Sequence, residues 1–462
     1  MVRRNFTMNI HTAIYLVGIS LLISACTNLP VMNKPLNNLN ITALNVAKAK
    51  TKTGRSDDLT LVLTFSGGGT RAAALSYGVL EKLKNTPIVI NGKKRRLLDE
   101  VDLISSVSGG SFTSAYYGLF GDEIFKDFEK KFLKRQIQTE LLKLWLLNPK
   151  NWVKLAPAVF GRSDLVAQYY SEEIFRNKTF GDFRKNAPQI IINATDLSVG
   201  KGFSFMPYHF NWICSDLSSF PVGRAVAASS AVPILFSPVL LENHMGKCKY
   251  SPVLWADNDS KKNNKRYQRS LDIKKYRNVK DYAYLHLVDG GVADNLGIRS
   301  LLDMVAYHKN SMWNLLKSYH MTKTKKMVFI VINASNATLQ NFAKYRRSPT
   351  TQEVLQSVSN VQFNNFNDDT MDLLREKFPQ WTAQIKQHRC VEEKTKHCDD
   401  IEFSLVEVSL NNLKTDNNSF LQDAPTSLEL SPEVVDKLKQ SASQLLNDSK
   451  EFQRVLKKLG DL

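Results

Sequence analysis

Acidic residues are scarce in this chain. Asp and Glu number 44 against 62 Lys and Arg over 462 residues, a formal charge of +18. A balance this basic favours anionic partners, either nucleic acid or an anionic membrane surface. Helix-turn-helix, zinc-finger and RNP-like patterns are missing and the aromatics are spread along the chain, so nucleic acid is set aside. Low-complexity tracts and internal repeats are missing too. With 43% hydrophobic and 23% charged residues, 21 Gly and 15 Pro, the composition excludes collagen-like, fully disordered and multi-span membrane classes. The length is ample for a large buried core.

The N-terminal apolar run, residues 13–24, would span about 18 Å as a helix, too little for a hydrocarbon core of about 30 Å. Arg3 and Arg4 precede it without an acid, the arrangement of a secretory signal. The run closes on Ile23-Ser24-Ala25-Cys26, which resembles the lipobox of bacterial lipoproteins, in which the Cys is lipidated and becomes the first mature residue. That resemblance implies a signal peptide over residues 1–25 and acyl chains on Cys26, each buried methylene contributing about 0.8 kcal/mol to anchoring. Thr27 rather than Asp follows, which resembles outer-membrane sorting. The expected location is the bacterial cell envelope, lipid-anchored at the outer membrane on its periplasmic face or surface. Four cysteines remain, and an even count in an oxidising compartment suggests disulfides. Short separations favour Cys214–Cys248 and Cys390–Cys398. His388 and His397 flank the second pair, but their spacing matches no common zinc finger.

Residues 27–57 are polar, carry Pro30 and Pro35, and read as a tether. Residues 59–65 form a buried-strand candidate, followed by Ser66-Gly67-Gly68-Gly69 and helical spacing at Leu75, Val79, Leu80 and Leu83. Residues 101–106 repeat the order, ending in Ser108-Gly109-Gly110 and a helix-like stretch to Tyr117. Strand, glycine turn and helix, twice over, is the rhythm of an α/β domain with parallel strands. Further strands are expected at 189–194, 283–288, 327–333 and 401–410. Helices are expected over much of 122–160 and at 222–231, 371–386 with a break at Pro379, and 432–459. Residues 257–281 are rich in Lys, Arg and Asn and read as a loop. The expected division is a signal peptide (1–25), a tether (26–58), an α/β domain (59–335) and a C-terminal extension (336–462).

Ser108 is the centre of the chemistry. A serine at a tight strand-to-helix turn between small residues has nucleophile-elbow architecture, G-x-S-x-G, here with Ser106 in place of the first Gly. The glycine run after the first strand exposes backbone N–H groups at a helix start, suited to a phosphate cradle or an oxyanion hole. No Gly-Lys-Ser/Thr follows, so a Walker A loop fails, and Ala72 spoils the dinucleotide fingerprint. Asp289-Gly290-Gly291 follows a third strand. An acid at a strand end of a parallel sheet points into the crevice where such folds bind ligands.

Together these segments resemble the patatin-like phospholipase family. Its glycine loop stands here as Gly67-Gly68-Gly69-Thr70-Arg71, its elbow as residues 106–110, and its Asp-Gly-Gly as Asp289-Gly290-Gly291. Asn193-Ala194-Thr195-Asp196-Leu197 and residues 225–238 also look like the family, and all five occur in its order across about residues 59–304. The resemblance implies a three-layer α/β/α domain with a mainly parallel central sheet, the C-terminal α+β extension packing onto it. It implies a Ser–Asp dyad in which Ser108 attacks an ester carbonyl and Asp289 takes its proton. Backbone N–H groups of Gly67, Gly68, Gly69 and Gly109 would form the oxyanion hole, with Arg71 positioning the loop or contacting a lipid phosphate.

No cofactor or metal is implied. Asp257 and Asp259 begin like a calcium loop, but Lys262 and Gln268 stand where its glycine and glutamate belong. His286 is the one histidine near a motif, and strand alternation puts it opposite Asp289. The implied substrate is phospholipid or lysophospholipid at an anionic membrane surface; no protein partner is indicated. Two alternatives use the same residues differently. One is a non-catalytic envelope lipoprotein binding lipid or a partner, motivated by Ser106. The other is a broad esterase or acyltransferase with the same dyad. Intact Ser108 and Asp289 favour an enzyme.

Overall fold

The computed structural model describes residues 32–36, 54–147, 161–233, 235–248, 265–335, 346–395, 398–413, 419–422 and 424–460. The sheet begins with β1 (Leu59–Phe65), crosses over through α1 (Gly69–Lys84) and a small hairpin, β2 (Pro87–Ile90) and β3 (Lys93–Arg96), and returns as β4 (Val101–Val107). Helices α2 (Gly109–Phe120), α3 (Ile137–Leu146) and α4 (Arg162–Tyr169) lead to β5 (Gln189–Asp196) and β6 (Lys201–Ser204). Then come α5 (Pro207–Trp212), α6 (Val222–Ser229), β7 (Val239–Glu242), α7 (Lys265–Arg277) and β8 (Tyr284–Asp289). The chain continues through α8 (Arg299–Tyr307), α9 (Met312–Ser318), β9 (Lys326–Asn333) and α10 (Thr351–Lys386). It finishes with β10 (Glu402–Ser409), α11 (Pro432–Asp448) and α12 (Lys450–Leu459).

Eight strands form one sheet in the order β10-β9-β1-β4-β5-β8-β7, with β6 paired to β5. From β10 to β5 the neighbours are parallel, while β8, β7 and β6 pair antiparallel. Every position of β1 is buried, so its alternating side chains feed two cores. Leu61, Leu63 and Phe65 join the core beneath α1, α2 and α11; Val62 joins the core beneath α8, α9 and α10. Two helical layers therefore enclose a mainly parallel sheet. The C-terminal part supplies β10 to that sheet and α11 to one layer.

Several elements depart from the expectations. Residues 265–277 are helical rather than a loop. Composition hid the helix because its inner face is held by polar contacts: Arg269 donates to the Gly202 carbonyl at 2.9 Å, and Tyr276 Oη to Asp196 at 2.9 Å. Residues 257–264 of that expected loop lie outside the described residues. Helix α10 runs through Pro379 without a break. An internal proline costs about 3 kcal/mol or more, and here Phe378 and Trp381 on either side pack against Phe329 and Phe403. The terminal helix is divided at Ser449, whose hydroxyl caps α12 by accepting the Phe452 N–H. Of the expected tether, residues 32–36 are docked: Asn33 pairs with both backbone groups of Glu242 at 2.7–2.8 Å and Leu36 N–H reaches the Cys214 carbonyl. Residues 148–160 of the expected helical stretch, and Cys26 itself, lie outside the described residues.

Both expected cysteine pairs are bonded, Cys214 to Cys248 and Cys390 to Cys398. The first sits beside the docked residues 33–36. Helices α1 and α11 meet with almost no clearance: a Cβ on Gly78 would lie 2.6 Å from the Lys439 carbonyl oxygen and 2.8 Å from Ala442 Cβ. Gly78→Leu is therefore expected to destabilise the protein by about 1–3 kcal/mol, read as a lowered midpoint in urea. An unchanged midpoint would mean that α11 is not seated on α1.

Candidate active site

Parallel pairing of β1, β4 and β5 brings their C-terminal ends to one edge, with Phe65 beside Ser106 and Val107 beside Asn193. Each of the first two strands turns there directly into a helix, α1 at Gly69 and α2 at Gly109. The two helix starts touch: a Cβ on Gly109 would fall 1.9 Å from the Gly69 carbonyl oxygen, so nothing larger than glycine fits. Both N-termini direct partial positive charge at the residue between them, Ser108.

Ser108 occupies φ 49°, ψ −119°, a conformation that costs a non-glycine residue roughly 1–3 kcal/mol. Its surroundings hold it there. The Ser108 N–H donates to Ser229 Oγ at 2.8 Å, and Ser229 in turn donates to the Asn193 carbonyl at 2.6 Å. Ser106 fits the elbow despite its side chain, because its hydroxyl lies in a buried network, donating to the Ile191 carbonyl and accepting from Ser114 at 2.6 Å.

Asp289 arrives from the opposite direction. The sequence suggested the end of a parallel strand, but β8 runs antiparallel to β5 and pairs Asp289 with Ala194. That is one residue beyond Asn193, the partner of Val107, so the register sets Asp289 level with Ser108. The close approach requires Gly290, where a Cβ would sit 2.3 Å from the Asn193 oxygen. The Asp289 carboxylate accepts the Gly291 N–H at 2.7 Å, and the neighbouring Ser108 hydroxyl favours its charged form. Thr195 Oγ1 donates to the Asp289 carbonyl at 2.9 Å, and Asp289 N–H donates to the Ala231 carbonyl. Burial pushes the carboxyl up to about 6, against the opposing pull of the Ser108 hydroxyl and the Gly291 N–H.

The glycine loop divides its tasks. Gly67 N–H is donated to the Asn295 carbonyl at 3.0 Å, so Gly67 shapes the loop and is not free to bind an oxyanion. The N–H groups of Gly68, Gly69 and Gly109 meet no acceptor among the described residues. Arg71 is buried with its guanidinium turned to the C-terminal segment, donating to the Ala424 carbonyl and to Thr426 Oγ1. Burial lowers it to about 10. Its guanidinium thus ties the start of α1 to residues 424–426. His286 is exposed and bonds Ser198, outside the site. Sequence reasoning missed Ser229, Thr195 and Asn295 as supports, although Ser229 and Thr195 lie inside motifs already marked.

A family model described as "Patatin-like phospholipase" matches residues 63–302. The chain belongs to the patatin-like phospholipase family. Among solved structures, human GIVD cytosolic phospholipase A2 is similar at 13% identity and a TM-score of 0.37, over 77% of this chain and 55% of that one. The same protein in complex with methyl gamma-linolenyl fluorophosphonate is similar at 12% identity and a TM-score of 0.40, over 90% and 62%. The chain thus spans about half to three-fifths of the length of those structures. Comparison with curated proteins returns no match.

In this member of the family, a carboxyl raised by burial binds its proton more tightly in the folded state. It therefore supports folding below its unfolded value and withdraws that support as pH climbs to about 6. Asp289→Asn, which cannot ionise, is expected to be more stable than the parent at pH 8 by roughly 2–3 kcal/mol and nearly equal to it at pH 4. Equal differences at both pH values, in urea unfolding, would contradict a strained Asp289.

Proposed function

We propose that the protein is a serine lipid acyl hydrolase that cleaves phospholipid or lysophospholipid acyl esters through the Ser108–Asp289 dyad. The observation that carries this reading is the strand register that sets the buried carboxylate of Asp289 level with Ser108, itself buried between two helix N-termini. Free aspartate, with a pKa of about 3.9, is a poor base at neutral pH. A value near 6 narrows that mismatch while leaving the group ionised at pH 7.

Ser108 Oγ attacks the ester carbonyl as its proton passes to Asp289. The carbonyl oxygen gains negative charge where the N–H groups of Gly68, Gly69 and Gly109 converge, each such donor contributing roughly 3–4 kcal/mol. The C–O bond to the leaving alcohol breaks, and the proton on Asp289 goes to that alcohol. A water then gives its proton to Asp289 and attacks the acyl-enzyme, releasing the fatty acid and restoring Ser108. No histidine is needed, since the register sets the carboxylate beside the nucleophile.

The same reading assigns Cys26 as the lipid attachment site and the outer membrane of a bacterial envelope as the location. The two disulfides accord with an oxidising compartment. Apolar side chains beside the site accord with work at a membrane. Leu235 is exposed in the turn that follows Ala231, and α3 exposes Leu142 and Leu146, with Leu147 just beyond it. That helix is tied to the glycine loop through residues 427–429, since Thr139 donates to Glu429 and Thr70 N–H donates to the Ser427 carbonyl.

Fatty-acid release from phospholipid vesicles by protein beginning at Cys26 tests the reading. Ser108→Ala and Asp289→Asn are each expected to lower the rate by about 10⁴-fold or more. Retained activity in either variant would remove the dyad. No release from phospholipid, lysophospholipid or short-chain esters by the folded parent would leave a lipid-binding lipoprotein.

A further inference from the structure

A cavity of about 370 Å³ lies at the far end of the sheet from Ser108, within the roughly 300–1,000 Å³ range of ligand pockets. Thr60 and Val62 of β1, Leu103 of β4 and Met327 of β9 form its floor, near the N-terminal ends of those strands; Met304 of α8 and Leu316 of α9 also line it. From Leu103 to Ser108 is five residues of extended chain, about 17 Å. The two regions are also separated by packing. Two residues along β4 from Leu103, on the same face, Ser105 donates to the Gly297 carbonyl at 2.6 Å and meets Ser300 Oγ at 3.1 Å. Asn193 Nδ2 closes the network on Ser105 at 2.9 Å. This buried polar cluster lies between Leu103 and Ser108 along β4.

The lining is chemically uneven. Met206, Met304, Met312, Met321 and Met327, half of the ten methionines in the chain, all border it. Thioether side chains are flexible and polarizable, which suits a flexible apolar ligand better than a rigid one. Among the described residues, the lining holds one cation, Arg55, and one acid, Asp102. Asp102 is turned to the backbone, accepting the Leu61 N–H at 3.0 Å. Arg55 is fixed by donating from Nε to the Asp99 carbonyl and from Nη2 to the Asn186 carbonyl. Its Nη1 has no acceptor among the described residues. A pre-positioned guanidinium on a mainly apolar wall suits one anionic head on one apolar tail.

We propose that this cavity is a second lipid site that binds one free fatty acid, the chain against the methionine wall and the carboxylate on Arg55. The site does not depend on the hydrolase reading, because no residue of the dyad or the glycine loop borders it.

The test uses the protein beginning at Cys26, labelled with ¹³C at its methionine methyl groups and titrated with oleic acid below its micellar concentration. Saturable shifts are expected at the five cavity methionines, with Met245 and Met371 unmoved, and Ser108→Ala protein should behave identically. Met304→Trp, which fills the cavity, should abolish the shifts while leaving ester hydrolysis unchanged; Val305→Phe serves the same purpose if that variant does not fold. Arg55→Gln should weaken oleic acid about tenfold and leave oleyl alcohol unaffected, the loss of one charge-assisted contact. Unmoved cavity methionines in the parent protein would overturn the proposal. So would shifts that survive both filling variants, or equal loss of acid and alcohol in Arg55→Gln.

Discussion

The contact between two helix starts, α1 at Gly69 and α2 at Gly109, governs the rest of the site. It forces the residue before α2 into a positive φ and turns its side chain to the strand ends. It also brings three backbone N–H groups around that residue. Such a geometry is costly on its own, and the surrounding structure exists in part to hold it. Ser229 secures the Ser108 N–H from α6, and the antiparallel β8 delivers Asp289 from across the sheet. Strain and a buried carboxylate are both unfavourable for folding, and both sit where the chemistry needs them.

The C-terminal part completes this arrangement. Arg71, one turn into α1, reaches the carbonyl of Ala424, and Thr70 N–H reaches that of Ser427. With β10 in the sheet and α11 against Gly78, the glycine loop is sandwiched between the elbow and residues 424–427. The family match ends at residue 302, yet the loop is held by residues more than a hundred positions later. The C-terminal segment is thus a supporting wall of the site.

Much of this was legible in the sequence for identifiable reasons. The strand at residues 59–65 is apolar throughout and followed by four small residues, so its bounds were read without error. Ser108 and Asp289 were legible because each follows a strand and precedes glycine. What escaped was the direction of β8, since a strand's partner is set by the path of the intervening chain and not by its own residues. Helix α7 escaped because its inner face mixes the core residues Ile273 and Tyr276 with buried Arg269, Ser270 and Asp272, so no clean apolar stripe marks it. Pro379 misled because the aromatic packing around it outweighs a local preference. The occupied N–H of Gly67 depends on Asn295, more than two hundred residues away, which no local pattern reveals.

The central claim is that Ser108 is a nucleophile whose activation depends on an ionised Asp289. The most direct measurement is the rate at which an alkyl fluorophosphonate modifies the protein across pH, with the adduct located by mass spectrometry. The account predicts a single adduct on Ser108, forming at a rate that rises with pH and is half-maximal near 6, and no adduct in Asp289→Asn. An adduct elsewhere, or labelling of Ser108 that ignores pH and survives Asp289→Asn, would contradict it.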